Sequence, residues 1–180
     1  MADVAGDDWP VPAFKVPFDE EQLVLMGLIA AVWGQIDFYI NQLIQSLHGI
    51  DHRQRRLLVK DTTIGPKLDL LLKSIDRAVD DRARDAIREA VGATKRTVER
   101  RNACAHGIWG IWTGENDQPV PAVMTKPGIV PVLKADDLRQ LYFDIANASA
   151  LVDEAFCIVS NFAEPMRGRT FFFGPRPPGA

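Results

Sequence analysis

The sequence predicts an all-α protein: an antiparallel bundle of four to five helices, with a small β-hairpin between the last two long helices. Apolar residues recur at helical spacing over most of the chain, residues that favour helix starts stand before these stretches, and an aromatic, turn-rich segment interrupts the pattern once. With 180 residues, 47% of them hydrophobic and 25% charged, the chain can bury one sizeable core. We therefore expect a single soluble domain.

The first long helix is predicted to run from an N-cap at Asp19 to about Leu47. Its predicted core-facing stripe follows the i, i+3, i+4 rule and contains Leu23, Met26, Gly27, Ala30, Trp33, Gly34, Asp37, Ile40, Asn41, Ile44 and Leu47. The small residues of this stripe would let another helix approach closely. We interpret them mainly as core packing, with a dimer seam as the alternative.

Three more helices are predicted before the hairpin, each from a residue type that favours a helix N-terminus. These residues are Asp51, which precedes the basic segment HRQRRLLVK, then Thr63 with Pro66, and then Asp80 or Asp81. The third of these helices is long, from Arg82 to about His106, and Gly107 is well placed as its C-terminal stop.

After this stop, the segments GIWGIW and VPAVMT, separated by the turn-rich GENDQP, predict the two strands of the hairpin, which their prolines restrict to sheet edges. Asp136 or Asp137 is predicted to cap the last helix. Residues 1–18 and 164–180 both contain several prolines and predict a flexible N-terminal arm and a loose C-terminal tail. The helical domain is therefore expected to cover residues 19–163.

Signals for targeting and for metals are weak in this sequence. The N-terminus lacks the features of a secretory signal, and no stretch has about 18 uninterrupted apolar residues, so we expect a cytoplasmic protein with no membrane partner. Cys104 and Cys157 lie in predicted helices without CxxC spacing, which fits reduced, packed thiols. Since HExxH, Glu-x-x-His, Gly-x-Ser-x-Gly and GxxxxGK motifs are absent, we predict neither a metal nor a cofactor.

The net charge of −3 argues against a protein that coats nucleic acid by electrostatics alone. Residues 51–101 nevertheless hold fourteen Lys or Arg against nine Asp or Glu, whereas the rest of the chain holds seven basic and fifteen acidic residues. Solvated helix faces are one interpretation of this excess, and a basic cleft on an acidic body is the other.

The segment ERRNACAHGIWG contains the strongest candidates for a functional site. On a helix, Asn102 and His106 lie four residues apart on nearly the same face, and Glu99 falls on that face too. Arg101 points about 140° away from His106, but its long side chain can reach the helix end. There the macrodipole favours a protonated histidine, and the arginine offers a bidentate clamp for phosphate.

Together these groups suit phosphodiester cleavage without a metal. His106 would take a proton from a ribose 2′-hydroxyl or give one to the leaving oxygen, Arg101 would stabilise charge on the phosphorus, and Asn102 would orient one of them. Such cleavage benefits from both a base and an acid, and each chain offers one suitable histidine. A two-fold homodimer around one cleft would supply both.

The segment RNACAHG, residues 101–107, resembles the Arg-X4-6-His signature of the HEPN superfamily (higher eukaryotes and prokaryotes nucleotide-binding domains). The predicted order of helices over residues 20–162 is also similar to the HEPN bundle. The resemblance implies a metal-independent endoribonuclease that dimerises to form its active site, as in bacterial toxin–antitoxin and antiviral defence systems, where an antitoxin or regulatory protein can be a partner.

The resemblance leaves alternatives open. Where HEPN toxins paired with a nucleotidyltransferase antitoxin usually have Tyr two positions after the histidine, this chain has Ile108, which does not favour that pairing. The family also includes members that bind nucleotide or RNA without cutting it, so a non-catalytic binding module or dimeric scaffold is the second interpretation. A plain helical interaction domain is the third.

Three residues are candidates for supporting roles. Asp37 would either form a structural ion pair or hold Arg101 or His106 in position, and Arg100 could replace Arg101 at the longer permitted spacing. Glu99 is a third supporting candidate.

For RNA binding the candidates are Lys95 and Arg96 in the basic stretch, and Trp109 and Trp112, which could stack on bases. Covering the end of the bundle is the alternative role of the two tryptophans.

Overall fold

The computed structural model describes residues 18–59, 63–113, 119–125, 128–131 and 134–160, with backbone alone for the strands. Its elements in chain order are α1 (Glu20–His48), α2 (His52–Val59), α3 (Ile64–Lys73), a 3-10 turn (Ile75–Arg77), α4 (Asp81–His106), β1 (Ile108–Thr113), β2 (Pro119–Thr125), β3 (Gly128–Pro131) and α5 (Ala135–Ser160). Most described residues are helical, which confirms the predicted all-α class. The predicted tail, and the predicted arm except for its last residue, lie outside the described residues.

Helix α1 begins and ends at the residues that its caps select. The Asp19 carboxylate accepts a hydrogen bond from the Gln22 N–H at 2.8 Å, and the Gln22 side chain accepts one from the Asp19 N–H at 3.0 Å. At the other end Gly49 adopts a left-handed conformation (φ 62, ψ 37) and donates its N–H to the carbonyls of Gln45 and Ser46. The predicted bounds of this helix were therefore correct to within about one residue.

Helix α4 also starts as predicted, because the Asp80 carboxylate accepts a hydrogen bond from the Ala83 N–H at 2.8 Å. It ends at His106, before the predicted stop. Gly107, however, has an extended backbone (φ −67, ψ 146), so the stop does not use the left-handed freedom of glycine. The chain leaves the helix directly into β1.

Helix α5 begins at Ala135, earlier than the two aspartates predicted to cap it. Asp136 and Asp137 lie in its first turn, and the Asp137 carboxylate accepts a hydrogen bond from the Lys134 N–H at 3.2 Å. Carboxylates are favourable throughout the first turn of a helix, so acidic residues indicate a helix start without fixing its first residue.

Helix α5 packs against both α1 and α4, and α3 packs against the same two helices. The directions of α1 and α5 follow from contacts at their ends. Glu21 and Arg139, both near helix N-termini, form an ion pair, and the hydroxyls of Ser46 and Ser160, both near C-termini, lie 2.9 Å apart. Helices α1 and α5 therefore run parallel.

Helices α4 and α5 run antiparallel, because Arg100 near the end of α4 pairs with Asp144 near the start of α5. The prediction of an antiparallel bundle is thus correct for α4 with α5 and wrong for α1 with α5. The two short helices between α1 and α4 reverse the chain, and the connection after α4 reverses it again, so α5 returns in the direction of α1.

The core lies between α1, α3, α4 and α5. Its largest fully buried side chains are Ile36, Ile40, Leu43, Ile44, Leu68, Leu71, Ile87, Leu138, Leu141, Ile145 and Val152. In the N-terminal half of α1 the buried residues are Leu25, Ile29 and Trp33, whereas the predicted stripe positions Leu23, Gly27, Ala30 and Gly34 are exposed. The predicted core packing of these small residues was wrong. This half of α1 is apolar nearly all round, so its periodicity does not single out the buried face.

Three antiparallel strands, in the order β1-β2-β3, take the place of the predicted two-stranded hairpin. Strand β1 pairs with β2 from Ile108 opposite Met124 to Thr113 opposite Pro119, and β2 then pairs with β3. The third strand is only four residues long and ends at Pro131, so its sequence carries little strand signal.

Helix α1 is also long and apolar enough to cross a membrane when length and mean composition are the only criteria. Core helices of soluble proteins pass the same test. Only 28% of its most apolar 18-residue window is buried in the protein, which means that much of this apolar surface faces outward.

Candidate functional site at the end of helix α4

Three of the predicted site residues meet at the C-terminal end of α4. The Nη1 atom of Arg101 lies 3.2 Å from Nε2 of His106 and donates a hydrogen bond to Oδ1 of Asn102 at 3.2 Å. Because a guanidinium can only donate, the His106 nitrogen accepts in this contact. His106 and Asn102 are exposed and Arg101 is partly buried. The length of the arginine side chain bridges the angle that separates residues 101 and 106 on the helix.

The Arg101 guanidinium also lies against the ring of Trp33 on α1, with its Cζ 5.0 Å from the ring centroid. This distance is typical of a cation–π contact. Burial lowers the pKa of Arg101, and the nearby Cys104 and Asp37 oppose that effect. The Nε atom of Arg101 is buried and has no hydrogen-bond partner within the described part of the chain. The site therefore holds a partly desolvated cation with an unused donor.

Asp37 forms the ion pair that a carboxylate on a core-facing helix needs. Its Oδ1 accepts from Nζ of Lys67 on α3 at 2.6 Å, and its Oδ2 accepts from Nδ2 of Asn41 at 3.2 Å. The side chain of Lys67 is 6% exposed and that of Asp37 is 42% exposed. The structural alternative therefore accounts for Asp37, which hydrogen-bonds to neither Arg101 nor His106 and affects Arg101 only through its charge.

This polar network continues from Asn41 to α2, where Nη1 of Arg55 donates to the Asn41 Oδ1 at 2.8 Å. Sequence reasoning missed Lys67 and Arg55, which are only 5% and 6% exposed. A signal for Lys67 was present, because it shares the buried face of α3 with Leu71 four residues later. A cation on an apolar face requires a carboxylate, and Asp37 required a cation.

Two supporting candidates do not join the cluster. Arg100 faces α5, where its Nη1 lies 2.9 Å from Oδ2 of Asp144 and its Nη2 donates to the Asp137 carbonyl at 3.3 Å. It is therefore a bundle contact and not a substitute for Arg101. Glu99 is exposed and, among the described residues, makes no hydrogen bond or ion pair.

The predicted RNA-binding residues lie on both sides of the cluster along the chain. Nζ of Lys95 pairs with Oδ1 of Asp69 on α3 at 2.7 Å, and Arg96 is exposed on α4. Trp109 and Trp112 belong to β1, which begins two residues after His106, but their side chains lie outside what the structure describes. Of these four residues, Lys95 and Arg96 are described with their side chains, and neither contacts the Arg101 cluster.

A buried thiol, that of Cys104, lies near Arg101. Cys104 and Cys157 are both buried thiols, in agreement with the predicted packed thiols. Burial raises the pKa of Cys104 to about 11, against the opposing effects of Arg100 and Arg101. Cys104 is therefore a packing residue in its protonated form. Among the described residues, no group of three His, Cys, Asp or Glu side chains could hold a metal ion.

Comparisons of this chain with protein-family models, with curated proteins and with solved structures found no match.

Proposed function

We propose that the chain is a metal-independent endoribonuclease of HEPN type, which cleaves RNA by attack of a 2′-hydroxyl at a site formed by two copies of the chain. The observation that supports this proposal is the 3.2 Å approach of the Arg101 Nη1 to the His106 Nε2 at the exposed end of α4. A fixed cation beside a group that can transfer protons is what this reaction requires.

In the absence of RNA, Arg101 occupies the Nε2 lone pair that a general base would use. A phosphate is a stronger partner for a guanidinium than a neutral imidazole is, because both groups are charged and the contact can be bidentate. Binding of an RNA phosphate would draw Arg101 away from His106. The freed Nε2 would then accept the proton of the adjacent 2′-hydroxyl.

The reaction that follows needs no water and no metal. The 2′-oxygen forms a bond to phosphorus, the bond from phosphorus to the 5′-oxygen breaks, and the leaving 5′-oxygen takes a proton from the protonated His106 of the second copy. The products are a 2′,3′-cyclic phosphate and a 5′-hydroxyl. Arg101 would stabilise the negative charge on the phosphoryl oxygens.

The test is cleavage of mixed single-stranded RNA and transfer RNA in EDTA by wild type, Arg101→Ala and His106→Ala. Arg82→Ala is a matched control, since Arg82 is an exposed arginine in the first turn of the same helix. We expect wild type and the control to release 2′,3′-cyclic phosphate ends, and the two site variants to lose about 10²- to 10⁴-fold in rate. Equal rates in all four proteins, or a requirement for metal, would contradict the proposal.

A second candidate function is RNA or nucleotide binding without cleavage. One observation favours it: the guanidinium already satisfies the histidine nitrogen, so the cluster is stable without acting as a base. Tight binding of RNA that depends on Arg101, with intact RNA recovered, would select this function. The HEPN resemblance also supports a role in bacterial toxin–antitoxin systems or antiviral defence, with a regulatory partner protein.

A further inference from the structure

The N-terminal half of α1 carries an apolar face that the rest of the chain leaves exposed. We call it the α1 patch, and its members are Leu23, Val24, Gly27, Ala30, Ala31, Gly34 and Phe38. Its large side chains are about half exposed, at 51% for Leu23, 56% for Val24 and 55% for Phe38. A Cβ atom added at either glycine would meet nothing within 4 Å. Contiguous exposed apolar surface of this kind marks an interaction site.

Six of the seven members of the α1 patch occur as matching residue types from either end, and the seventh, Val24, stands opposite Asp37. The large residues Leu23 and Phe38 are at the two ends, and Gly27 and Gly34 are the next pair towards the middle. Two alanines occupy the centre. Each pair is equidistant from the midpoint between residues 30 and 31. A two-fold axis through that midpoint would place α1 antiparallel to its own copy, with Leu23 on Phe38 and glycine on glycine. The small central residues allow the two helices to approach closely.

The same pairing brings opposite charges together at both ends of the patch. The position opposite Glu20 is Asn41, which is held by Arg55 of α2. Helix α2, HRQRRLLV, contains three arginines and no carboxylate, whereas Asp19 and Glu20 are exposed acids at the start of α1. The acidic end of one copy would therefore face the basic α2 of the other, twice in the dimer, which favours a second copy of this chain as the occupant.

The α1 patch and the Arg101 cluster lie at the same level along α1. Trp33, against which Arg101 lies, is less than one helical turn from the midpoint of the patch. With a rise of 1.5 Å per residue, the two copies of Trp33 would be separated by about 8 Å along the helix axes. The two Arg101–His106 pairs would then border one shared groove.

We infer that the α1 patch is the surface through which two copies of this chain dimerise, and that this dimer joins their two Arg101–His106 pairs. The catalytic consequence of the dimer rests on the proposed function, whereas the interface itself does not.

The test is the mass of the full chain in solution, measured by light scattering after gel filtration at several protein concentrations. Ala31→Glu places a carboxylate beside the proposed axis at an exposed helix position, so folding should be unaffected. Val79→Glu is the control, because Val79 is 74% exposed and lies just before α4, outside the patch. We expect wild type and Val79→Glu to have twice the monomer mass of 20.0 kDa, and Ala31→Glu to be monomeric.

The outcomes separate this inference from the proposed function. If Ala31→Glu is monomeric and wild type is a dimer that does not cut RNA, the interface stands and the ribonuclease proposal fails. If wild type cuts RNA and Ala31→Glu remains a dimer, the interface is overturned and the ribonuclease proposal stands. A wild-type monomer also overturns the interface. This includes a monomer that binds phospholipid vesicles by its α1 patch and floats with them.

Discussion

At the residue scale, the contacts of Arg101 define the candidate site. Its partners on α4 follow from sequence spacing alone, because Asn102 and His106 lie within reach of a long side chain on the same helix. Its contact with Trp33 depends on how α1 and α4 pack, and nothing in the local sequence specifies that. Sequence reasoning therefore found the chemical groups of the site but not the surface that holds them.

The thiol of Cys104 provides a test of how tightly this helix end is packed. Because burial raises its pKa to about 11, from an ordinary value of 9.0, we expect it to react slowly with iodoacetamide at pH 8 in the folded protein and rapidly in denaturant. The folded state holds this proton more tightly than the unfolded state does. The stability that this proton contributes is complete below pH 9 and is lost as the pH rises through 11.

Peptide mapping by mass spectrometry would separate the labelling of Cys104 from that of Cys157. Fast labelling of Cys104 in the folded protein at pH 8 would show that the end of α4 is open, contrary to this account.

The buried ion pair between Lys67 and Asp37 is expected to contribute more to stability than an exposed one. Lys67→Met removes the cation and leaves the carboxylate without its partner, and we expect a loss of about 2 kcal/mol, less than for a fully buried pair since Asp37 is 42% exposed. Lys95→Met, which breaks the exposed pair with Asp69, should cost about 0.5 kcal/mol. Urea unfolding followed by circular dichroism measures both, and equal losses would argue against a special role for the buried pair.

At the element scale, the two glycines that follow α1 and α4 have the same sequence context and different conformations. Gly49 has a positive φ, so Gly49→Ala should destabilise the protein by about 1 kcal/mol. Gly107 is extended, and Gly107→Ala should stay within about 0.5 kcal/mol of wild type. Thermal unfolding of the two variants checks the difference. A similar loss in both would mean that Gly107 also needs the freedom of glycine.

Helix existence was the most predictable property of the elements, because it depends on caps and spacing within each segment. Helix orientation was less predictable. In α1 the predicted stripe is correct at Trp33, Ile40, Ile44 and Leu47, and polar residues mark the outer face in this half. It is wrong at Leu23, Gly27, Ala30 and Gly34, where apolar residues surround the helix. When a helix is apolar on every side, its exposed side is available to bind a partner.

At the scale of the whole molecule, the basic excess of residues 51–101 is partly neutralised within the fold. Ion pairs among the described residues include those of Lys67, Arg84, Arg88, Lys95 and Arg100, of which Lys67 and Arg100 pair with acids outside this stretch. This distribution favours solvated and paired helix faces over a broad basic cleft. RNA would then be held by a few specific contacts near Arg101, and not by the electrostatic field of the whole protein.

The parallel arrangement of α1 and α5 is likewise a property of the whole chain. It depends on how the two short helices turn the chain between α1 and α4, and single-segment patterns do not contain that information. The third strand after α4 was missed for a related reason, because a short strand acquires its identity from the strand with which it pairs.

The central claim, that Arg101 and His106 drive attack by a 2′-hydroxyl, is tested most directly by comparing two labelled oligonucleotides of identical sequence, one of RNA and one of DNA, in EDTA with the wild-type protein. We expect the RNA to be cut to fragments ending in 2′,3′-cyclic phosphate and the DNA to remain intact. Cleavage of both oligonucleotides, or RNA fragments that carry a 3′-hydroxyl, would contradict attack by a 2′-hydroxyl.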